Sequence, residues 1–75
     1  MNLNRNLPII EVTRKAQAAL ESGHPWVYDT EILKMSPEAF PNGSLVDVVS
    51  DKGRYLGTGI FSELTKIRIR VLYFK

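Results

Sequence analysis

Leu45-Val46-Asp47-Val48-Val49-Ser50-Asp51-Lys52-Gly53-Arg54-Tyr55-Leu56-Gly57-Thr58-Gly59-Ile60-Phe61 is the stretch that decides how this chain folds. Residues 45–50 are rich in the β-branched and apolar side chains that suit a strand. Asp51-Lys52-Gly53 supplies a tight turn with glycine where a positive φ is wanted, and residues 54–61 return as the antiparallel partner. Glycine inside a strand marks a bulge, a barrel bend or a close approach by something else. Gly57 and Gly59 therefore predict a strongly curved small sheet, with Leu56 and Ile60 on one face and Tyr55, Gly57, Gly59 and Phe61 on the other.

Downstream, Lys66-Ile67-Arg68-Ile69-Arg70-Val71-Leu72-Tyr73 alternates with period two. This predicts a further strand with Ile67, Ile69, Val71 and Tyr73 inward and Lys66, Arg68 and Arg70 outward. Upstream, Ser36-Pro37-Glu38-Ala39-Phe40 places a serine at an N-cap and a proline at the first helical position. A single helical turn is expected there, ended by Pro41-Asn42-Gly43, with Phe40 plugging the core. Residues 29–35 read as a turn followed by a loop. Pro25 disfavours helix at His24, so Trp26, Val27 and Tyr28 are extended, with Trp26 and Tyr28 on one side. Residues 14–21 are strong helix formers between a Thr13 cap and a Ser22-Gly23 stop. Pro8-Ile9-Ile10-Glu11-Val12 reads as a first strand.

At 75 residues the chain holds one domain, and a chain of that size buries only ~60% of its unfolded surface. A hydrophobic fraction of 44%, with one Trp, three Tyr and three Phe, is enough for a small core. No cysteine is present, so neither a disulfide framework nor a thiolate metal site is available. The start, Met1-Asn2-Leu3-Asn4-Arg5-Asn6, is polar, and no apolar run approaches the ~20 residues of a membrane span. A soluble, cytoplasmic protein is the expectation. Ten Lys plus Arg against eight Asp plus Glu leave a net charge of +2, too slight to argue for nucleic acid unless the cations gather in one place.

The sequence offers little to an active site. His24 is the sole histidine, and nearby Asp29 and Glu31 lack a metal-ligand spacing, so no metal is expected. Gly57-Thr58-Gly59 is followed by Ile60 rather than by a further glycine and a helix, so it is no phosphate-cradling loop. Trp26 reads first as the main anchor of the core, because a small domain gains most by burying its largest side chain, and second as a stacking surface for an unpaired base. Lys66, Arg68 and Arg70 form a row at ~7 Å intervals along one strand face. That row reads equally as a set of phosphate contacts and as an ordinary solvated face. Arg14, Lys15 and Arg54 extend it if the fold brings them together.

Three blocks in order carry a resemblance. Gly23-His24-Pro25-Trp26-Val27-Tyr28, then Gly43-Ser44-Leu45-Val46-Asp47-Val48 with residues 51–59, then Ile67-Arg68-Ile69-Arg70-Val71-Leu72, together resemble the N-terminal PUA domain of the S-adenosylmethionine-dependent large-subunit ribosomal RNA cytosine-5 methyltransferases. The likeness covers residues 8–73, nearly the whole chain. It implies an α+β fold, a small PUA-like mixed β pseudobarrel with one short helix and a helical turn, forming a single domain over residues 1–75. It also implies an RNA surface on Arg14, Lys15, Gly23 and His24, joined by the basic strand with Lys66, Arg68 and Arg70, to which the charge reading above adds Arg54. The family usually carries a Tyr-Asn-Pro-x-Ser pattern after the second glycine strand, where Ile60-Phe61-Ser62-Glu63-Leu64-Thr65 stands here. The family's S-adenosylmethionine site and catalytic cysteines lie downstream of this region, so no cofactor and no methylation are expected of this chain alone. The partners implied are ribosomal RNA and the parent's methyltransferase domain. The alternative is a module that packs against that domain, or organises a dimer, without touching RNA.

Overall fold

A computed structural model describes residues 7–37 and 39–75. The strands are β1 (Ile9–Val12), β2 (Trp26–Tyr28), β3 (Ile32–Met35), β4 (Leu45–Val49), β5 (Tyr55–Phe61) and β6 (Ile67–Phe74). One helix, α1 (Arg14–Glu21), follows β1, and a 3-10 turn (Asp29–Glu31) separates β2 from β3. All six strands form one sheet in the order β2-β6-β5-β4-β1-β3, parallel between β1 and β4 and antiparallel elsewhere. Its two edge strands, β2 and β3, are joined only by Asp29–Glu31. A chain reaches at most ~3.6 Å per residue, so the sheet must curl until its edges nearly meet. The result is the expected mixed half-barrel with one short helix, although its helical turn stands at Asp29–Glu31 and not at residues 36–40.

Helix α1 packs on the sheet against β5, with Ala16 and Leu20 in the core. Thr13 Oγ1 accepts the Ala16 N–H at 3.2 Å, satisfying one donor of the first turn. Ala16 and Leu20, one turn apart, seal against the sheet. At the far end Gly23 takes φ +90°, and the His24 N–H reaches the Ala19 carbonyl at 2.9 Å. Ile10, Val12, Val27, Val46, Val48 and Ile69 are fully enclosed beneath the helix. Phe40 packs edge-on to Phe61 with centroids 5.1 Å apart.

The curvature has an identifiable source. A Cβ built on Gly57 would lie 2.5 Å from the Tyr73 carbonyl oxygen, and one on Gly59 would press into the Arg70 carbonyl. These glycines let β6 close on β5, which is the structural reading of their spacing. The β4–β5 turn also forms as expected. Gly53 adopts φ +81°, and Ser50 Oγ accepts the N–H groups of Lys52 and Arg54 at 3.2 and 3.1 Å.

Four register shifts interrupt the alternation that a sequence pattern assumes. On β5, Leu56 is skipped between the pairs Val48–Gly57 and Val49–Tyr55, so Leu56 is buried while Ile60 is exposed, against the expectation that they share a face. On β6, Leu72 is skipped between Gly59–Val71 and Thr58–Tyr73. Tyr73 is consequently 55% exposed rather than inward, and Phe74 packs on the core in its place. Each skipped residue is one extra unit on one strand, which rotates everything beyond it by half a period.

Two further expectations are corrected. Residues 32–35, read as loop, form edge strand β3 against β1, with Leu33 skipped between Glu11–Lys34 and Val12–Ile32. No period-two signal survives such a short, bulged and largely exposed strand. The helical turn expected over residues 36–40 includes Glu38, which lies outside the described residues, as does the polar segment 1–6. Pro37 bends, and Ala39 and Phe40 are not helical. The Ser36 hydroxyl is engaged elsewhere, accepting the Ile9 N–H at 2.7 Å and so extending the β1–β3 pairing.

Candidate nucleic-acid interface

The basic residues singled out in the sequence fall into three groups. The first lies where α1 meets the β4–β5 hairpin. Arg14 stands at the helix start with its Nε 3.5 Å from Asp51 Oδ2, and Arg54 Nη2 lies 2.7 Å from Glu21 Oε2. Both pairs are solvent-exposed, so each contributes ~0–1 kcal/mol to stability. Their larger effect is electrostatic: two guanidinium groups facing one groove are each matched by a carboxylate. Lys15 is exposed on the helix surface without either partner. Gly23 and Arg54 both line the neighbouring depression, with Lys75 at its rim.

The second group lies at the far end of β6. Arg68 is the extra residue between the pairs Val27–Ile69 and Tyr28–Ile67. It is partly buried, and its Nη1 donates to the Glu63 carbonyl at 2.5 Å. Lys66 is exposed, and its carbonyl accepts the Asp29 N–H at 2.8 Å. The evenly spaced row of Lys66, Arg68 and Arg70 is therefore broken in its middle by the bulge.

The third group is the β2–β6 edge. Trp26 pairs with Arg70 across the two strands, and both are exposed, Trp26 at 40%. Trp26 is not the core anchor. Val27 is, with no exposure at all. An alternating Trp-Val-Tyr triplet fixes which residues share a face but not which face turns inward, and here the aromatic pair faces out. His24 closes on the indole edge-to-face, centroids 5.8 Å apart at 84°, and its Nδ1 accepts the Trp26 N–H at 3.3 Å.

The register exposes one further feature that sequence reading missed. Trp26, Arg70, Ile60 and Leu45 are successive cross-strand neighbours on β2, β6, β5 and β4. They form one row across the outer sheet face, with Ile60 39% and Leu45 47% exposed. Adjacent strands lie ~4.8 Å apart, so the row spans ~14 Å. The signal for it is strand register, which no local pattern contains.

Among the described residues no cluster of His, Cys, Asp or Glu could hold a metal, and no helix is long and apolar enough to cross a membrane. Gly57 and Gly59, on either side of Thr58, lie mid-strand with β6 carbonyls against them, so this pair forms no phosphate-cradling loop.

Comparison with known proteins agrees with this geometry. The family model for the PUA-like domain matches residues 10–74. A ribosomal RNA large subunit methyltransferase of Deinococcus radiodurans is 31% identical over 64 residues, covering 85% of this chain and 15% of that protein. Ribosomal RNA large subunit methyltransferase I of Alteromonas mediterranea is 39% identical over 57 residues, covering 76% of this chain and 14% of that protein. The chain thus spans about one seventh of the length of these relatives. Among solved structures, a PUA domain protein from Thermoplasma acidophilum superposes with a TM-score of 0.74 at 22% identity, covering 88% of this chain and 48% of that one.

Proposed function

The chain belongs to the PUA-like domain family, and from that premise we propose that it is an RNA-binding module that positions an attached S-adenosylmethionine-dependent methyltransferase on ribosomal RNA. The observation that carries this reading is the likeness, over three quarters or more of the chain, to proteins named as ribosomal RNA large subunit methyltransferases. The chemistry belongs to the rest of the parent, since a cytosine-5 transfer that proceeds through a cysteine nucleophile has none to use here. The site of action is the cytoplasm, where the ribosomal RNA substrate is met.

Arg14, Lys15, Gly23, His24, Arg54, Lys66, Arg68 and Arg70 form the proposed contact set. With a net charge of +2 and several of these cations already engaged within the fold, binding by this module alone is weak. It works by shape and backbone contacts rather than sequence readout. A second reading draws support from the exposed apolar members of the outer row, Leu45, Ile60 and Trp26: the same domain packs against its parent's catalytic domain or a second copy.

Titrating the chain with a short ribosomal RNA hairpin under heteronuclear NMR at two salt concentrations separates them. Shifts clustered on the contact set, with log K falling against log salt at a slope near about −2 for roughly three neutralised phosphates, support RNA binding. Absence of shifts at near-millimolar RNA supports packing.

A further inference from the structure

Four arginines fall among the described residues, and three are engaged within the fold: Arg14 by Asp51, Arg54 by Glu21 and Arg68 by the Glu63 carbonyl. Arg70 makes no ion pair or side-chain hydrogen bond among the described residues. Arg70 is exposed on the outer sheet face, and its direct neighbour on β2 is Trp26. The indole is exposed yet fixed. Its strand is locked to β6, the Val27 side chain next to it is fully buried, and His24 braces the ring edge-on.

A rigid aromatic surface beside an unengaged guanidinium matches the two halves of a nucleotide. The base has a π-face to stack, and the phosphate accepts a guanidinium fork. A wholly apolar protein surface matches less well, because it would strip water from Arg70 in the middle of the row and give it no acceptor.

We propose that Trp26 and Arg70 form a subsite for one unpaired nucleotide, the indole stacking on the base and the guanidinium holding its phosphate. The subsite rests on the RNA-binding reading and adds the kind of RNA recognised: a single strand or a splayed-out base, held on the outer sheet face in addition to the contacts on α1. Ile60, next in the row, offers an apolar surface for the neighbouring sugar or base.

Trp26 is the chain's one tryptophan, so its emission reports on this spot alone. The 75-residue chain is titrated with a single-stranded pyrimidine octaribonucleotide and with a fully paired RNA duplex. Tryptophan emission and the anisotropy of labelled RNA are read in parallel. The single strand is expected to quench the emission and bind more tightly than the duplex. Trp26→Ala should weaken single-strand binding at least about fivefold, with Trp26→Phe retaining most of it. Arg70→Gln should make the salt slope shallower by about 0.7. Both positions are exposed, and circular dichroism checks that each variant folds. Single-strand binding without an emission change, or unaltered in Trp26→Ala, overturns the subsite and leaves the RNA-binding reading standing. No binding of either RNA overturns both. An emission shift that follows protein concentration instead identifies the face as a contact between copies of the chain.

Discussion

Thr58 Oγ1 donates a 2.6 Å hydrogen bond to Asp47 Oδ1 across the β4–β5 pair, and the carboxylate is only 1% exposed. A threonine hydroxyl has a single proton, so the Tyr55 hydroxyl, 2.6 Å from the same oxygen, donates to it. The chain Tyr55 to Thr58 to Asp47 thus runs along the sheet face opposite Val46 and Val48. It supports the strands that carry the outer row, in a place where unpaired polar atoms are costly.

Thr58→Val removes the middle of that chain while preserving shape, taking from Asp47 and Tyr55 the bond that each makes to Thr58 in a buried setting. The expected loss is about 1–3 kcal/mol, read as a lower urea midpoint with an unchanged slope. A stability equal to wild type would show that the other interactions of Asp47 suffice.

Gly59→Ala tests the origin of the curvature. The added methyl has no flexible side chain to displace, because it meets the Arg70 carbonyl and the Val71 backbone. The β5–β6 pair must separate, and a loss of more than about 2 kcal/mol is expected, above the ~1–3 kcal/mol typical of core overpacking at its lower end. Thermal unfolding followed by circular dichroism measures it. A variant as stable as the parent would remove close packing as the reason for glycine here.

Trp26→Ala and Val27→Ala together distinguish surface from core. Val27 is fully enclosed, so its truncation is expected to cost about 2–3 kcal/mol. Trp26, 40% exposed, should cost clearly less. Chemical denaturation of the two variants decides, and the reverse order would return Trp26 to the core.

How much of this was legible in the sequence follows from where information is local. The α1 boundaries rest on Thr13, a run of helix formers and Gly23, all neighbours in the chain, and the helix stands at Arg14–Glu21 as expected. The β4–β5 hairpin is likewise written into Asp51-Lys52-Gly53 and two flanking apolar runs. Tyr73, Ile60 and β3 were misread because bulges at Leu72, Leu56 and Leu33 are set by pairing partners distant in sequence. Trp26 was misread because three alternating residues do not state which side is inside. The candidate interface depends on these same non-local facts, so its residue types were recognisable while their grouping was not.

Glu21 and Asp51 hold two of the cations that line the α1–hairpin groove, Arg54 and Arg14, so removing the acids should expose an RNA-binding surface that the fold partly neutralises. Glu21→Gln frees the Arg54 guanidinium, now 2.7 Å from its partner, and Asp51→Asn frees Arg14. Since both pairs are exposed, stability should change by no more than about 1 kcal/mol for either variant. RNA affinity should rise at low salt, and each freed cation that reaches a phosphate should steepen the log K against log salt slope by about 0.7 on a single strand. The double variant should show both increments, because the two pairs share no atoms. Labelled-RNA anisotropy across a salt series reads all three quantities. An affinity and slope unchanged in the double variant would place RNA away from this groove, on the β2–β6 side of the domain.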